Sequence, residues 1–468
     1  MSCFLMIWLF SLFFYIYDII ESMKKVNTSP ISGMQELLPE DQATFDSLKT
    51  KILNTYKKHG FLSIETPIID RTEILLAKAG GDTEKQIYKV VKTAEAEDSA
   101  DQALRFDHTV PLARYVIEHE NELQFPFKVT QIGRNYRGER AQKGRFREFY
   151  QCDVDIIGRG KLEIAYDADV ISTLLKAFET FELETPVLAR INNRKIIAGL
   201  LNALNLNNQT AEIMNVIDHA EKVTPEQTKQ SLEELGIDER NVKKIIAFTN
   251  LHGERSFVIK ELNNLEITDE TYQEGVTELD QILYLLESME LKDQIEADMK
   301  IVRGLDYYTG TVFEFILPEH KNIGSVCGGG RYENLTGYFS DKSFPGVGGS
   351  IGLTRLFYIL NEKGLLKSEK DNLLDYAVIP VSEHEYDEAL NVAEKLRDKN
   401  YNTTVILTDK KLGQKLDHAS KLARNGIVIG EEEVNSKILK AKSFETGESN
   451  EINIEVVSNP EDFWGDQI

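Results

Sequence analysis

Cysteine is scarce. Cys3, Cys152 and Cys327 are the only three in 468 residues, and no two of them form a CxxC pair. That excludes a disulfide-stapled secreted scaffold and argues against a structural zinc site, so no metal ligands are expected. It also points to a reducing compartment, the cytoplasm. Positive charge is in deficit: 54 Lys and Arg face 77 Asp and Glu, a net charge of −23. A chain so acidic does not coat nucleic acid with a uniformly basic surface, and any RNA contact has to use local basic patches. The P-loop pattern GxxxxGK[ST] is missing, and so is a GxGxxG placed between strand and helix, which disfavours both nucleotide-binding folds. No internal repeat and no low-complexity tract occurs.

What is present is an ordinary globular composition, 41% hydrophobic and 28% charged, with enough apolar material for large cores. The length suggests about three domains. One apolar run, CFLMIWLFSLFFYIY (3–17), stands apart. It is short of the roughly 20 residues that span a bilayer and lacks the basic start and small-residue cleavage site of a signal peptide. Residues 1–22 read as a leader outside the fold, ahead of a start at Met23. The alternatives are a membrane anchor, with Lys24 and Lys25 holding the following chain on the cytoplasmic side, and a core helix.

Asp41 to Lys58 has the spacing of an amphipathic helix, with Phe45, Leu48, Ile52, Leu53 and Tyr56 on one stripe. FLSIETPIID reads as a strand interrupted at Pro67. FREFYQCDVDIIG (146–158) reads as a strand whose odd positions Arg147, Gln151, Asp153 and Asp155 share one face. Ala165–Phe181 is predicted to be helical. Residues 196–297 change to long charged helical stretches, a separate insertion. Residues 362–372 read as a linker. Beyond it YAVIPV, TTVILT and GIVIG alternate with helical stretches 383–398 and 412–424, the pattern of a small α/β domain.

Chemistry concentrates in few places. RNYRGERAQKGRFREFYQ (134–151) packs Arg134, Arg137, Arg140, Lys143, Arg145 and Arg147 into fourteen positions, a cluster suited to phosphate because the guanidinium fork binds it bidentately. In LRFDHTVPLARY, Asp107 and Thr109 lie two apart on a segment expected to be extended, so that a carboxylate and a hydroxyl share a face and can hold an ammonium group. VRGLDYYTG contributes Arg303, Tyr307 and Tyr308. CGGGRYENL and GVGGSIGLTRL allow close backbone approach to a ligand through their glycines.

Together these segments resemble the histidyl-tRNA synthetase family of class II synthetases, from about Met23 to the C-terminus. FLSIETPIID resembles class motif 1, RNYRGERAQKGRFREFYQ motif 2 and GLTRL, with Arg355, motif 3. VRGLDYYTG and GGGRYENL resemble the two segments peculiar to the histidine enzyme. The resemblance implies an α+β fold: a catalytic domain over 23–195 and 298–362 built on an antiparallel sheet, a helical insertion at 196–297, and an anticodon-binding α/β domain over 373–468. It implies ATP-dependent attachment of L-histidine to tRNA(His) through a histidyl-adenylate, with Mg²⁺ accompanying ATP, in a cytoplasmic homodimer. Residue by residue it implies that Asp107, Thr109, Gln151, Asp155, Tyr307 and Tyr308 hold histidine. Arg137, Glu139, Arg145 and Arg355 would hold ATP, with Arg303 and Arg137 as catalytic arginines and Arg140 and Gln142 near the tRNA acceptor end. Two positions depart from the family pattern, His108 and Thr354. Rival readings are the regulatory subunit of ATP phosphoribosyltransferase, which resembles this core without charging tRNA, and a class II synthetase for proline, threonine or glycine.

Overall fold

The computed structural model describes residues 27–77, 81–94, 101–220, 223–302, 308–333, 336–366 and 374–453. The apolar run 3–17, Arg303, Tyr307 and the 367–372 part of the linker lie outside the described residues. Among the described residues no helix is long and apolar enough to cross a membrane. Two compact units form: Phe45–Leu366 with the residues before Leu38, and the residues from Lys367 on together with Leu38–Thr44.

The strands of the first unit, in chain order, are β1 (Leu62–Ser63), β2 (Ile69–Arg71), β3 (Lys89–Val90), β4 (Gln102–Leu104), β5 (Phe127–Tyr136), β6 (Glu148–Ile157), β7 (Leu188–Asn193), β8 (His252–Gly253), β9 (Ile295–Asp298), β10 (Tyr308–Ile316), β11 (Cys327–Tyr332) and β12 (Gly346–Ile351). Nine of them make one sheet in the order β1-β5-β6-β12-β11-β10-β7-β9-β8, while β2, β4 and β3 form a small second sheet. FLSIETPIID is therefore not one interrupted strand. The chain leaves the large sheet after Ser63, passes Pro67, which has no N–H for a ladder, and joins the small sheet at Ile69.

The middle of the large sheet is antiparallel. One of its faces is covered by the helix Ala165–Glu179, which buries Val170, Ile171, Leu174 and Phe178. The helix Pro39–Lys58 buries Phe45, Leu48, Ile52 and Tyr56 at the i, i+3, i+4 spacing read from the sequence. The stretch expected to stand apart at 196–297 does not carry a core of its own. Ile196, Leu200, Ile245, Leu279 and Leu286 belong to the same buried cluster as Val154, Ile171 and Phe313. The stretch also supplies β8 and β9 to the sheet edge. Its charged residues marked solvent-facing helix surfaces, and their apolar stripes needed the sheet's helices to cover them.

In the second unit β13 (Leu374–Pro380), β14 (Thr403–Val405) and β15 (Ala423–Ile429) pair in parallel, followed by the antiparallel β16 (Ile438–Ser443) and β17 (Ser449–Asn453). β13 is buried on both sides. Tyr376 and Val378 pack with Val392 and Leu396 of the helix Tyr386–Arg397, and Ala377 and Ile379 with Ile406 and Ala419. A strand covered on both faces reads as a continuous apolar run, which is why YAVIPV was legible. The β16–β17 hairpin adds an antiparallel edge beyond that run, and ILKAKS buries alternate residues, as a strand covered on one face does.

Candidate active site

β6 and β12 pair so that Asp155 lies opposite Gly348 and Asp153 opposite Ser350. Period-two alternation sends Gln151, Asp153 and Asp155 to one face. That face is the floor of a cavity of about 230 Å³, lined by Asp107, Thr109, Arg137, Gln151, Asp153, Asp155, Tyr308, Glu314, Tyr332 and Ser350 with glycines of β11 and β12. The glycines make the hollow. A Cβ on Gly348 would lie 2.0 Å from Asp155 Oδ1, and one on Gly330 would lie 2.9 Å from the Tyr308 ring. What approaches these backbones closely is thus the protein's own carboxylate and phenol ring, rather than only a ligand as the glycine runs had suggested.

Asp107 and Thr109 do reach the cavity, but not on an extended segment. Thr109 opens the helix Thr109–Glu118. Asp107, just before it, accepts a bond from Val110 N at 3.0 Å through Oδ1. A short polar residue ahead of a helix satisfies one of the free N–H groups there, so the turn and the site use the same carboxylate. Burial pushes the Asp107 carboxyl above its usual range, while the Val110 N–H and Arg137 pull it down and Asp153 adds to the rise.

Arg137 enters from the end of the β5 ladder. Its Nε donates to Phe106 O at 3.3 Å. Its guanidinium lies 4.4 Å from the Phe106 ring and 5.1 Å from the Phe149 ring. This is a cation held by stacking, with N–H groups left to meet an anion. Asp155 accepts from Tyr332 Oη at 3.0 Å. Burial, and then the charge of Asp153, push its carboxyl up to about 8, against the hydrogen bond from Tyr332. Gln151 accepts from Asn135 Nδ2 at 2.7 Å and donates to Ser350 Oγ at 2.8 Å. Ser350 in turn donates to Asp153.

The remaining expected residues lie elsewhere. Glu139 and Arg145 face each other at 3.6 Å. Arg355 donates to Ile323 O at 2.6 Å, and burial lowers its pKa with Arg145 nearby adding to the effect. Arg140 and Gln142 are exposed in the turn between β5 and β6, where Gln142 and Arg145 exchange backbone bonds. Arg147 does not share the Gln151 face: it precedes β6 and donates to Glu139 O at 3.0 Å. Arg303 and Tyr307 lie outside the described residues. Asp153, Ser350, Tyr332 and Glu314 line the cavity without having been singled out as site residues. Asp153 was on the polar face already read from β6; the others needed the register of β10, β11 and β12.

The family model for histidyl-tRNA synthetase matches residues 33–356. The chain belongs to the histidyl-tRNA synthetase family. A second family model, the anticodon binding domain, matches residues 375–459. The chain is 43% identical over 439 residues to the histidine–tRNA ligase of Clostridium tetani, covering 92% of this chain and 98% of that protein. It is 35% identical to the crystal structure of histidyl-tRNA synthetase from Nostoc sp. PCC 7120, with a TM-score of 0.83 over 92% of this chain and 97% of that one. An ATP phosphoribosyltransferase regulatory subunit/histidyl-tRNA synthetase from Bacillus halodurans C shares the fold, at 21% identity and a TM-score of 0.72, with 86% of this chain and 99% of that one covered. Charging tRNA with histidine at the expense of ATP is the function of this family, so the chain is an aminoacyl-tRNA synthetase with tRNA(His), histidine and ATP as substrates.

The raised Asp155 carboxyl gives this synthetase a pH signature. A carboxyl held up near 8 when folded and near 4 when unfolded keeps its proton longer in the folded state. Its contribution is intact at low pH and is lost as pH climbs towards 8, at up to about 1.4 kcal/mol per pH unit. Asp155→Asn removes that loss and can still accept from Tyr332. Without ligand, its thermal midpoint should gain on the parent's steadily from pH 5 to pH 7. A constant difference across that range would refute the assignment.

Proposed function

We propose that the cavity on β6, β10, β11 and β12 is the pocket in which histidine is activated. A carboxylate oxygen of histidine attacks the α-phosphorus of ATP, pyrophosphate leaves and histidyl-adenylate forms. The terminal ribose hydroxyl of tRNA(His) then attacks the activated carbonyl and releases AMP. The observation that carries the residue roles is the convergence of Asp107, Thr109, Gln151, Asp155, Tyr308 and Arg137 on one hollow from four separate stretches of sequence. Asp107 and Thr109 take the substrate's ammonium group. Gln151 and Asp155 line the same pocket, and Tyr307 and Tyr308 hold the imidazole. Partners that a wrong side chain would leave unpaired supply the discrimination.

Arg137 meets the α-phosphate, and Glu139 the adenine end. Arg145 and Arg355 meet the distal phosphates or adenine. Positioning and fixed positive charge are what phosphoryl chemistry asks of a protein. Mg²⁺ is the counter-ion that ATP brings. It takes oxygen ligands and keeps several waters, so the nucleotide's phosphates and one carboxylate such as Glu314 on the cavity wall suffice to hold it. Arg140 and Gln142 lie at the acceptor end of the tRNA, and the second unit reads the anticodon. The exposed Leu62, Ile68 and Ile69 of the motif 1 segment support a homodimer, and the scarcity of cysteine supports a cytoplasmic location.

Amino-acid-dependent pyrophosphate exchange tests the reading. Exchange with histidine, and not with proline, threonine or glycine, is expected; no exchange with histidine would refute it. Arg303 is assigned to the reacting carboxylate. Arg303→Ala should lower adenylate formation at least about tenfold, and a rate within a few-fold of the parent would withdraw the assignment.

A further inference from the structure

One buried titratable side chain backs the cavity wall without touching the hollow. His108 is 1% exposed. Its Nδ1 lies 3.0 Å from Asp153 Oδ2, and its Nε2 has no hydrogen-bond partner among the described residues. The ring's polar capacity is therefore directed at one acceptor, with Nδ1–H donating to the carboxylate. The backbone beneath it is pinned: Gln131 Nε2 donates to His108 O at 3.3 Å, and Gln131 Oε1 accepts from Thr66 Oγ1 at 2.8 Å. Room for the ring comes from β5, where a Cβ on Gly133 would lie 2.5 Å from Arg105 Nη2 and 3.3 Å from His108 Nε2.

Asp153 is 5% exposed and lines the cavity beside Gln151 and Asp155. A carboxylate so buried stays in place only if donors satisfy it. Its Oδ1 accepts from Ser350 and its Oδ2 is met by His108. The two donors come from different elements, the strand β12 and the turn ahead of Thr109–Glu118, so they fix both the position and the rotation of the carboxyl plane.

We propose that His108 is a positioning residue for amino-acid recognition: its Nδ1–H holds the Asp153 carboxylate beside Asp155, so that Gln151, Asp153 and Asp155 present one fixed polar wall to the substrate's ring. The inference rests on the reading of this cavity as the histidine pocket. His108 acts through Asp153 and does not touch histidine. Its loss weakens binding of the amino acid in ground and transition state alike, and leaves ATP binding untouched.

Pyrophosphate exchange with the full-length chain separates this from a structural role. His108→Leu should raise KM for histidine about tenfold, the scale of one hydrogen bond to a charged group, with kcat and KM for ATP unchanged within about twofold. His108→Gln, whose carboxamide N–H can still donate to Asp153, should recover most of the loss. Asp153→Asn, which keeps the shape of the side chain, should raise KM for histidine in the same direction and gives a reading even if His108→Leu does not fold. An unchanged KM for histidine in Asp153→Asn or in a folded His108→Leu overturns the proposal. So does a rise in KM for ATP that matches the rise for histidine, or equal losses in the Leu and Gln variants. Histidine-dependent exchange in the parent chain keeps any such failure distinct from failure of the pocket assignment itself.

Discussion

Arg137→Ala should lower histidine-dependent pyrophosphate exchange by about 10²- to 10³-fold while the chain stays folded, because a fixed donor aimed at developing charge contributes on that scale. Arg137 is poised between Phe106 and Phe149 on a wall that also carries Asp107, Asp153, Asp155 and Glu314. An ATP phosphate brought next to four carboxyl groups needs a cation placed in advance. The stacking also limits what can replace it. Arg137→Lys keeps the charge but not the planar fork, so it should recover only a small part of the rate. Stopped exchange at saturating histidine and ATP, with circular dichroism to verify folding, checks both variants. A loss below about tenfold in Arg137→Ala would mean that the α-phosphate is met by another group.

Arg331→Ala carries the largest expected cost to stability, about 3 to 5 kcal/mol. Arg331 is 4% exposed and Asp167 is fully buried. The guanidinium donates to Asp167 through Nε at 3.1 Å and Nη2 at 2.7 Å, and caps Leu162 O and Glu163 O at 3.0 Å each. Burial already pushes the Asp167 carboxyl up against the pull of Arg331. Without the arginine that carboxyl is left unpaired, and the two carbonyls lose their donors. Replacing both partners, Arg331→Met with Asp167→Leu, should cost far less than the single change, since no buried charge is stranded. Denaturant titration of the two variants and the parent gives the comparison; equal losses in single and double variants would show that the cost does not come from a stranded carboxyl.

Arg331 also shows where reading a sequence stops. GGGRY stands out as a motif, yet alternation along β11 divides its two large residues. Tyr332 turns into the cavity to meet Asp155, while Arg331 turns to the other face and Asp167. Likewise the polar face of β6 was legible because period-two alternation is local. The donors that fix it, Ser350 and His108, lie 197 and 45 residues from Asp153, and no local rule pairs them.

By itself the amino-acid sequence determined the elements with strong periodicity, the parallel run of the second unit, the basic cluster of motif 2 and, through the resemblance these segments carry, the family and its chemistry. Propensity, alternation and motif spacing act over a few residues, so one chain segment is enough to express them. Only the tertiary structure decided that the 196–297 helices share the sheet's core, that Asp107 caps a helix while lining the cavity, and that glycines clear space for the protein's own Asp155 and Tyr308. Those outcomes depend on strand register and on which surfaces bury each other, and both are set by contacts between residues far apart in the chain.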